Sequence, residues 1–166
     1  MLAGPPGVGK TTFARLLRER APLAIVSVDD VRKLLFPNPE YTDPEHRRVF
    51  GVYYSTVQEL LLRGIPTVAD ATNLWESLRR RLYRIAGETN ARSVVVGFET
   101  PAEVVRLRLE RRFADPIHWD RSDATWDIHL RMAADMEPVR GWHFVVDMSK
   151  DVTGVLDDVA AALRSP

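Results

Sequence analysis

Gly4-Pro5-Pro6-Gly7-Val8-Gly9-Lys10-Thr11 meets the pattern G-x-x-x-x-G-K-[ST] at every fixed position. Residue types at this spacing can hold a phosphate. Backbone N–H groups have to fold around the anion, along a path that a Cβ at positions 4, 7 or 9 would obstruct. Lys10 then brings a point charge to the β- and γ-phosphates. The Thr11 hydroxyl offers a ligand to Mg²⁺, with Thr12 beside it among the nucleotide contacts. The helix expected from Lys10 to about Arg20 adds the positive end of its dipole to the same place.

Three further sets of residues could work with that loop. Asp29 and Arg32 come first: a carboxylate can orient and deprotonate an acceptor hydroxyl, and a nearby guanidinium can hold the acceptor's own oxygens. Asp29 and Asp30 equally suit the N-cap of a short helix over 31–36. With the phosphate loop on the same sheet edge, we assign the acceptor-facing role to Asp29 and the cap to Asp30. Second, Ile65 to Asp70 rises through apolar residues to an acid in the manner of a Walker B strand, which places Asp70 near the metal and Thr11. Its plainer use would be to cap a helix that begins near Leu74; Asp70 stands four residues early for that, so we favour the place near the metal. Third, a helix over 101–113 buries Ala102, Val105, Leu109 and Phe113. Arg108 and Arg112 flank that stripe one above the other, and Arg111 faces away into solvent. The Arg pair can reach toward a nucleotide, and a polar segment at about 114–123, containing Pro116 and Trp119, could close over it as a lid. The histidines show no metal spacing, and His129 reads as structural. Tyr41, His46, Arg47 and Arg48 suit either an acceptor pocket or a solvated helix start.

The elements that must position these groups alternate regularly. Apolar runs at 23–27, 65–70, 93–98 and 142–146 read as strands, and amphipathic segments at 10–20, 44–63, 74–87, 101–113, 124–136 and from Thr153 onward read as helices. Alternation from end to end implies a parallel sheet with helices on both faces, in a single domain over 1–166. Only Met1-Leu2-Ala3 precede Gly4, so the first strand is expected to be truncated or its start to lie upstream.

Composition narrows the function. Lys+Arg and Asp+Glu both number 23, which argues against a nucleic-acid binder held by bulk charge. Without cysteine there is no thiolate metal site, disulfide or Cys nucleophile. The absence of a long apolar run or a signal-peptide pattern leads us to expect a soluble cytoplasmic protein with no membrane partner.

Taken in order, Gly4 to Thr11, Ser27-Val28-Asp29-Asp30-Val31-Arg32, Val68-Ala69-Asp70-Ala71-Thr72-Asn73, the Arg108/Arg112 helix and Arg121-Ser122-Asp123-Ala124 resemble the small P-loop kinases of the AAA-type "predicted kinase" family. Polynucleotide 5′-kinase domains and chloramphenicol phosphotransferase are relatives of that family. The resemblance implies a three-layer α/β/α P-loop NTPase fold with a five-stranded parallel sheet in the order 2-3-1-4-5. It implies ATP and Mg²⁺ as cofactors, Asp29 as general base, Arg32 on the acceptor side, and Lys10 and Arg112 on the transferring phosphates. It further implies Thr11 and Asp70 at the metal, Arg108 stacked on adenine, and Ser149 and Lys150 bordering the base. The expected activity is transfer of a γ-phosphoryl group to a hydroxylated small molecule, with a polynucleotide 5′-hydroxyl as the competing acceptor. A regulatory nucleotide switch that transfers nothing is the rival from another class, although the chain lacks the N-K-x-D motif by which a GTPase reads its base.

Overall fold

The computed structural model describes residues 1–114 and 122–164. The expectations placed on Pro116, Trp119, Arg121 and the Phe113 side chain lie outside what is described. The elements run β1 (Leu2–Ala3), α1 (Lys10–Arg18), β2 (Ala24–Ser27), α2 (Val28–Leu35), α3 (Asp43–Leu62), β3 (Thr67–Asp70), α4 (Glu76–Glu88), β4 (Val96–Phe98), α5 (Ala102–Ala114), α6 (Trp126–Ala134), β5 (Phe144–Val146) and α7 (Thr153–Arg164). The strand and helix alternation is the one the hydrophobic pattern predicts.

All strand pairs are parallel, in a three-stranded group β1-β4-β5 and a two-stranded group β2-β3. A single five-stranded ladder was expected. The break falls at β1, which is only two residues long and has few backbone groups to offer on either side. Two other bonds cross the seam: Gly4 N–H donates to Thr72 O at 2.9 Å, and the Asn73 side-chain amide donates to Leu2 O at 2.7 Å. Asn73 takes a positive φ of 45° to make this contact.

The helices fall into two groups, each closing an apolar cluster. Leu2, Phe13, Leu17, Phe98, Val105, Leu109 and Leu156 join β1 and β4 to α1, α5 and α7. Phe13 meets Phe98 edge-on at 5.5 Å, a contact worth ~0.5–1.5 kcal/mol beyond the area it buries. On the other side Val26, Val49, Tyr53, Val57, Leu82 and Ile85 join β2 to α3 and α4. Ala102 and Trp142, expected in buried elements, are exposed, and β5 begins only at Phe144.

The N-cap of α2 differs from expectation. Helix α2 starts directly after β2, and its N-cap is Ser27, whose hydroxyl accepts from Asp30 N–H at 3.3 Å. Asp30 therefore donates to the cap. It shares the first turn of α2 with Asp29, where carboxylates complement the helix dipole. At α7, Thr153 is the first helical residue, and the Asp151 carboxylate takes both its N–H (2.9 Å) and its hydroxyl (2.7 Å).

Candidate phosphate-binding site

The glycine-rich loop joins β1 to α1 and is fixed by what surrounds it. Gly7 has φ 84° and Gly9 φ 102°, both in the left-handed region. A Cβ on Gly7 would come within 2.9 Å of Val105 Cγ1, and one on Gly9 within 2.9 Å of Met148 Cγ. Glycine is required here on two independent grounds.

Side chains from several elements hold the loop's carbonyls. Lys10 Nζ donates to Pro5 O at 2.8 Å, and His129 Nδ1 lies 2.7 Å from Pro6 O. Thr100 Oγ1 donates to Val8 O at 3.0 Å, with Arg108 Nη1 at 3.5 Å from the same oxygen. Arg108 Nη2 donates to Met148 O at 2.7 Å, which ties α5 to the loop after β5. Arg112 Nη1 donates to Ser122 O at 3.4 Å. Both arginines are half-buried while Arg111 is exposed, as their spacing predicts.

Asp70 closes β3 beside this loop. Its carboxylate accepts from the Thr11 hydroxyl at 2.7 Å, which removes the reading of Asp70 as a helix cap. A hydroxyl and a carboxylate are hard oxygen donors of the kind Mg²⁺ prefers, so the pair fits that ion. Among the described residues no group of three or more His, Cys, Asp or Glu side chains could hold a metal. Behind Asp70 the Tyr53 hydroxyl is buried, and burial first, then the Asp70 charge, pushes its pKa well up, so the phenol stays neutral.

Register places Asp29. Ser27 pairs with Asp70 across β2 and β3, so the first turn of α2 emerges on the edge that carries Asp70 and Thr11. The Asp29 charge is felt at Tyr41, where it adds to the rise of the phenol pKa. Around Tyr41 a polar cluster forms. Arg32 is 3% exposed, its Nη2 is 3.0 Å from His46 Nδ1, its Nη1 is 3.7 Å from Glu45 Oε2, and its guanidinium lies 4.7 Å from the centre of the Tyr41 ring. Glu45 also accepts from the N–H groups of Glu40 (3.0 Å) and Tyr41 (2.7 Å), and so holds Tyr41 at φ 57°. Asp123 accepts from both Lys33 Nζ and the Tyr41 hydroxyl at 2.6 Å. Burial would raise the Asp123 carboxyl, but these two donors bring it below its ordinary value. Burial, then the bond to Asp123, raises the Tyr41 phenol.

Lys10, Thr11, Asp70 and Arg108 therefore lie at or against the glycine loop, and α2, which carries Asp29 and Arg32, starts at the same sheet edge. Thr12 is exposed at the start of α1, as are Arg47 and Arg48 at the start of α3. Lys150 is exposed and pairs with Asp147 at 3.3 Å. The reading gave no role to Thr100, Lys33 or Asp123. None of them belongs to a motif with a mechanism of its own: the fold pairs Lys33 with Asp123 beside Tyr41 and, separately, sets Thr100 against the phosphate loop.

The AAA domain family matches residues 1–148 of the chain. Kti12 of Chaetomium thermophilum, solved in complex with ADP-AlF3, is similar with a TM-score of 0.78 at 20% identity, over 99% of this chain and 98% of that one. The APS kinase CysC of Mycobacterium tuberculosis, solved with AMPPNP and APS, has a TM-score of 0.73 at 12% identity, over 99% and 95%. A gluconokinase from Sinorhizobium meliloti has a TM-score of 0.65 at 18% identity, over 98% and 89%. These likenesses show the fold. No curated protein matches the chain.

Proposed function

We propose a phosphotransferase activity for this chain, which belongs to the AAA domain family of small P-loop kinases: transfer of the γ-phosphoryl group of ATP to the hydroxyl of a small molecule. The observation that carries the reading is the register Ser27 to Asp70, which sets the Asp29 turn and the Thr11–Asp70 pair on one sheet edge. A nucleotide switch has no use for an acid facing an acceptor.

In this reading the loop N–H groups and Lys10 hold the β- and γ-phosphates, and Lys10 exchanges its bond to Pro5 O for phosphate oxygens. The acceptor oxygen attacks the γ-phosphorus, its proton passes to the Asp29 carboxylate, and the bond to the β–γ bridging oxygen breaks with its electron pair leaving on ADP. Arg112, at the end of α5, neutralises charge on the transferring group, and Arg108 borders the adenine. Mg²⁺, held by Thr11 near Asp70, supplies further neutralisation of the phosphate oxygens when bound. Arg32 and Tyr41 border the acceptor. The two strand groups read as one sheet in the order 2-3-1-4-5, supported by the Gly4–Thr72 and Asn73–Leu2 bonds across the seam.

The test is Asp29→Asn, assayed by ATP-dependent mass gain across a panel of hydroxylated metabolites. Transfer should fall by about 10²–10⁴-fold, the contribution of a positioned general base, while the affinity for a fluorescent ATP analogue stays within about twofold. A variant that retains full transferase activity rules this mechanism out.

A further inference from the structure

We infer that His129 is a positioning residue for the phosphate-binding loop, fixing the Pro6–Gly7 peptide so that the Gly7 N–H is presented to phosphate before nucleotide arrives. The inference deepens the nucleotide-binding reading and rests on it.

A carbonyl oxygen can only accept a hydrogen bond, so at 2.7 Å from Pro6 O the His129 Nδ1 carries the proton. The ring is buried and stacks on Trp126, with centroids 5.0 Å apart and planes 11° from parallel, so its orientation is set within α6. A trans peptide is planar, and the C=O of one residue points opposite to the N–H of the next. Holding Pro6 O toward α6 therefore turns the Gly7 N–H away from α6. By the same geometry, Thr100 and Arg108 on Val8 O turn the Gly9 N–H away from their side.

An outside anchor is needed at this peptide in particular. The peptide plane between a proline and a following glycine can flip between turn types at small cost, by turning the proline ψ and the glycine φ while ω stays trans, because glycine tolerates either arrangement. Gly7, at φ 84°, follows Pro6. With no partner on Pro6 O, the N–H would spend part of its time facing away from the anion. A loop that must be reordered binds more weakly by the fraction of the time it is misaligned.

The experiment titrates the full chain with a fluorescent ATP analogue in the presence of Mg²⁺. It compares wild type, His129→Asn, whose amide nitrogen takes the place of Nδ1, and His129→Leu, which fills similar space without a donor. The dissociation constant is expected to rise about tenfold in His129→Leu and to stay within about twofold of wild type in His129→Asn. A purely structural role would lower the melting temperature of both variants without separating their affinities. Equal affinities for the two variants would overturn the inference while leaving the nucleotide reading intact. Wild type that fails to bind the analogue would overturn both. Should His129→Leu not fold, long-range ¹H–¹⁵N spectra of wild type decide the matter: a protonated Nδ1 supports the inference, and an unprotonated Nδ1 refutes it.

Discussion

At the scale of single residues, the Arg32 guanidinium is the most constrained charge near the candidate acceptor side. It is nearly sealed from water, its Nη1 lies within ion-pair distance of Glu45 but makes no hydrogen bond, and its Nη2 faces His46. That leaves Nη1 as the atom with unused capacity, one turn of α2 along from Asp29. The arrangement has a consequence for pH. Burial, and then the Arg32 charge, lowers the His46 pKa, opposed by Asp43, Glu45 and a backbone bond at Tyr41. The unfolded chain, with an ordinary histidine pKa of about 6.5, therefore binds the proton first, and stability is complete above that pH and falls as pH drops through it. Replacing His46 by Gln should flatten the dependence of melting temperature on pH between about 7 and 5.5. A slope identical to wild type would mean that the His46–Arg32 contact does not govern this step.

At the scale of elements, helix α4 shows both the reach and the failure of sequence reading. Its apolar stripe was legible from Leu74, Leu78, Leu82 and Ile85, although Leu74 precedes the helix and Leu78 is only half-buried, but nothing in the pattern singled out Arg79, on the same face as Leu82. Arg79 is fully buried: Nη1 donates to Asn73 O (2.9 Å) and Leu74 O (2.8 Å), and Nη2 to Glu137 O (3.2 Å) and Pro138 O (2.9 Å). The guanidinium is the only fork of donors that could satisfy two loops at once, and one of those loops follows Asp70 directly. Arg79→Met would take the side-chain donor from four carbonyls, of which, among the described residues, only Leu74 O keeps another, the Glu137 N–H at 3.0 Å, and should cost on the order of 3 kcal/mol or more. For a chain of this size that is a fall in melting temperature of roughly 6–12 °C. Arg80→Met, on the exposed side of the same helix, should change it by no more than about 2 °C. Equal effects at the two positions would refute the pinning role. The start of α2 was missed for a different reason. Ser27-x-x-Asp30 is a capping pattern in plain sight, but Asp29 and Asp30 also suit a cap, and reading them so delayed the helix to 31.

At the scale of the whole molecule, the alternation of strands and helices was legible because buried parallel strands leave continuous apolar runs that turns interrupt. The phosphate loop was legible because its residue spacing carries its own mechanism. The polar cluster of Lys33, Tyr41 and Asp123 was not, since its members lie far apart in sequence and meet only through the packing of α2 against the chain before α6. That cluster bears on the kind of acceptor. Lys33 is already paired with Asp123 and Arg32 with Glu45, so the two basic groups of α2 are largely neutralised within the fold. With 23 basic and 23 acidic residues, the chain has no excess charge to offer a polyanion either. A nucleic acid gains most of its affinity from cations that displace its counterions, and each phosphate so neutralised adds about 0.7 to the salt slope of single-strand binding. Filter binding of single-stranded oligonucleotides between about 50 and 200 mM salt should therefore show weak retention and a slope near zero. A slope of several units would instead mean that a strand lies across this edge, and the acceptor hydroxyl would then be sought at a 5′ end.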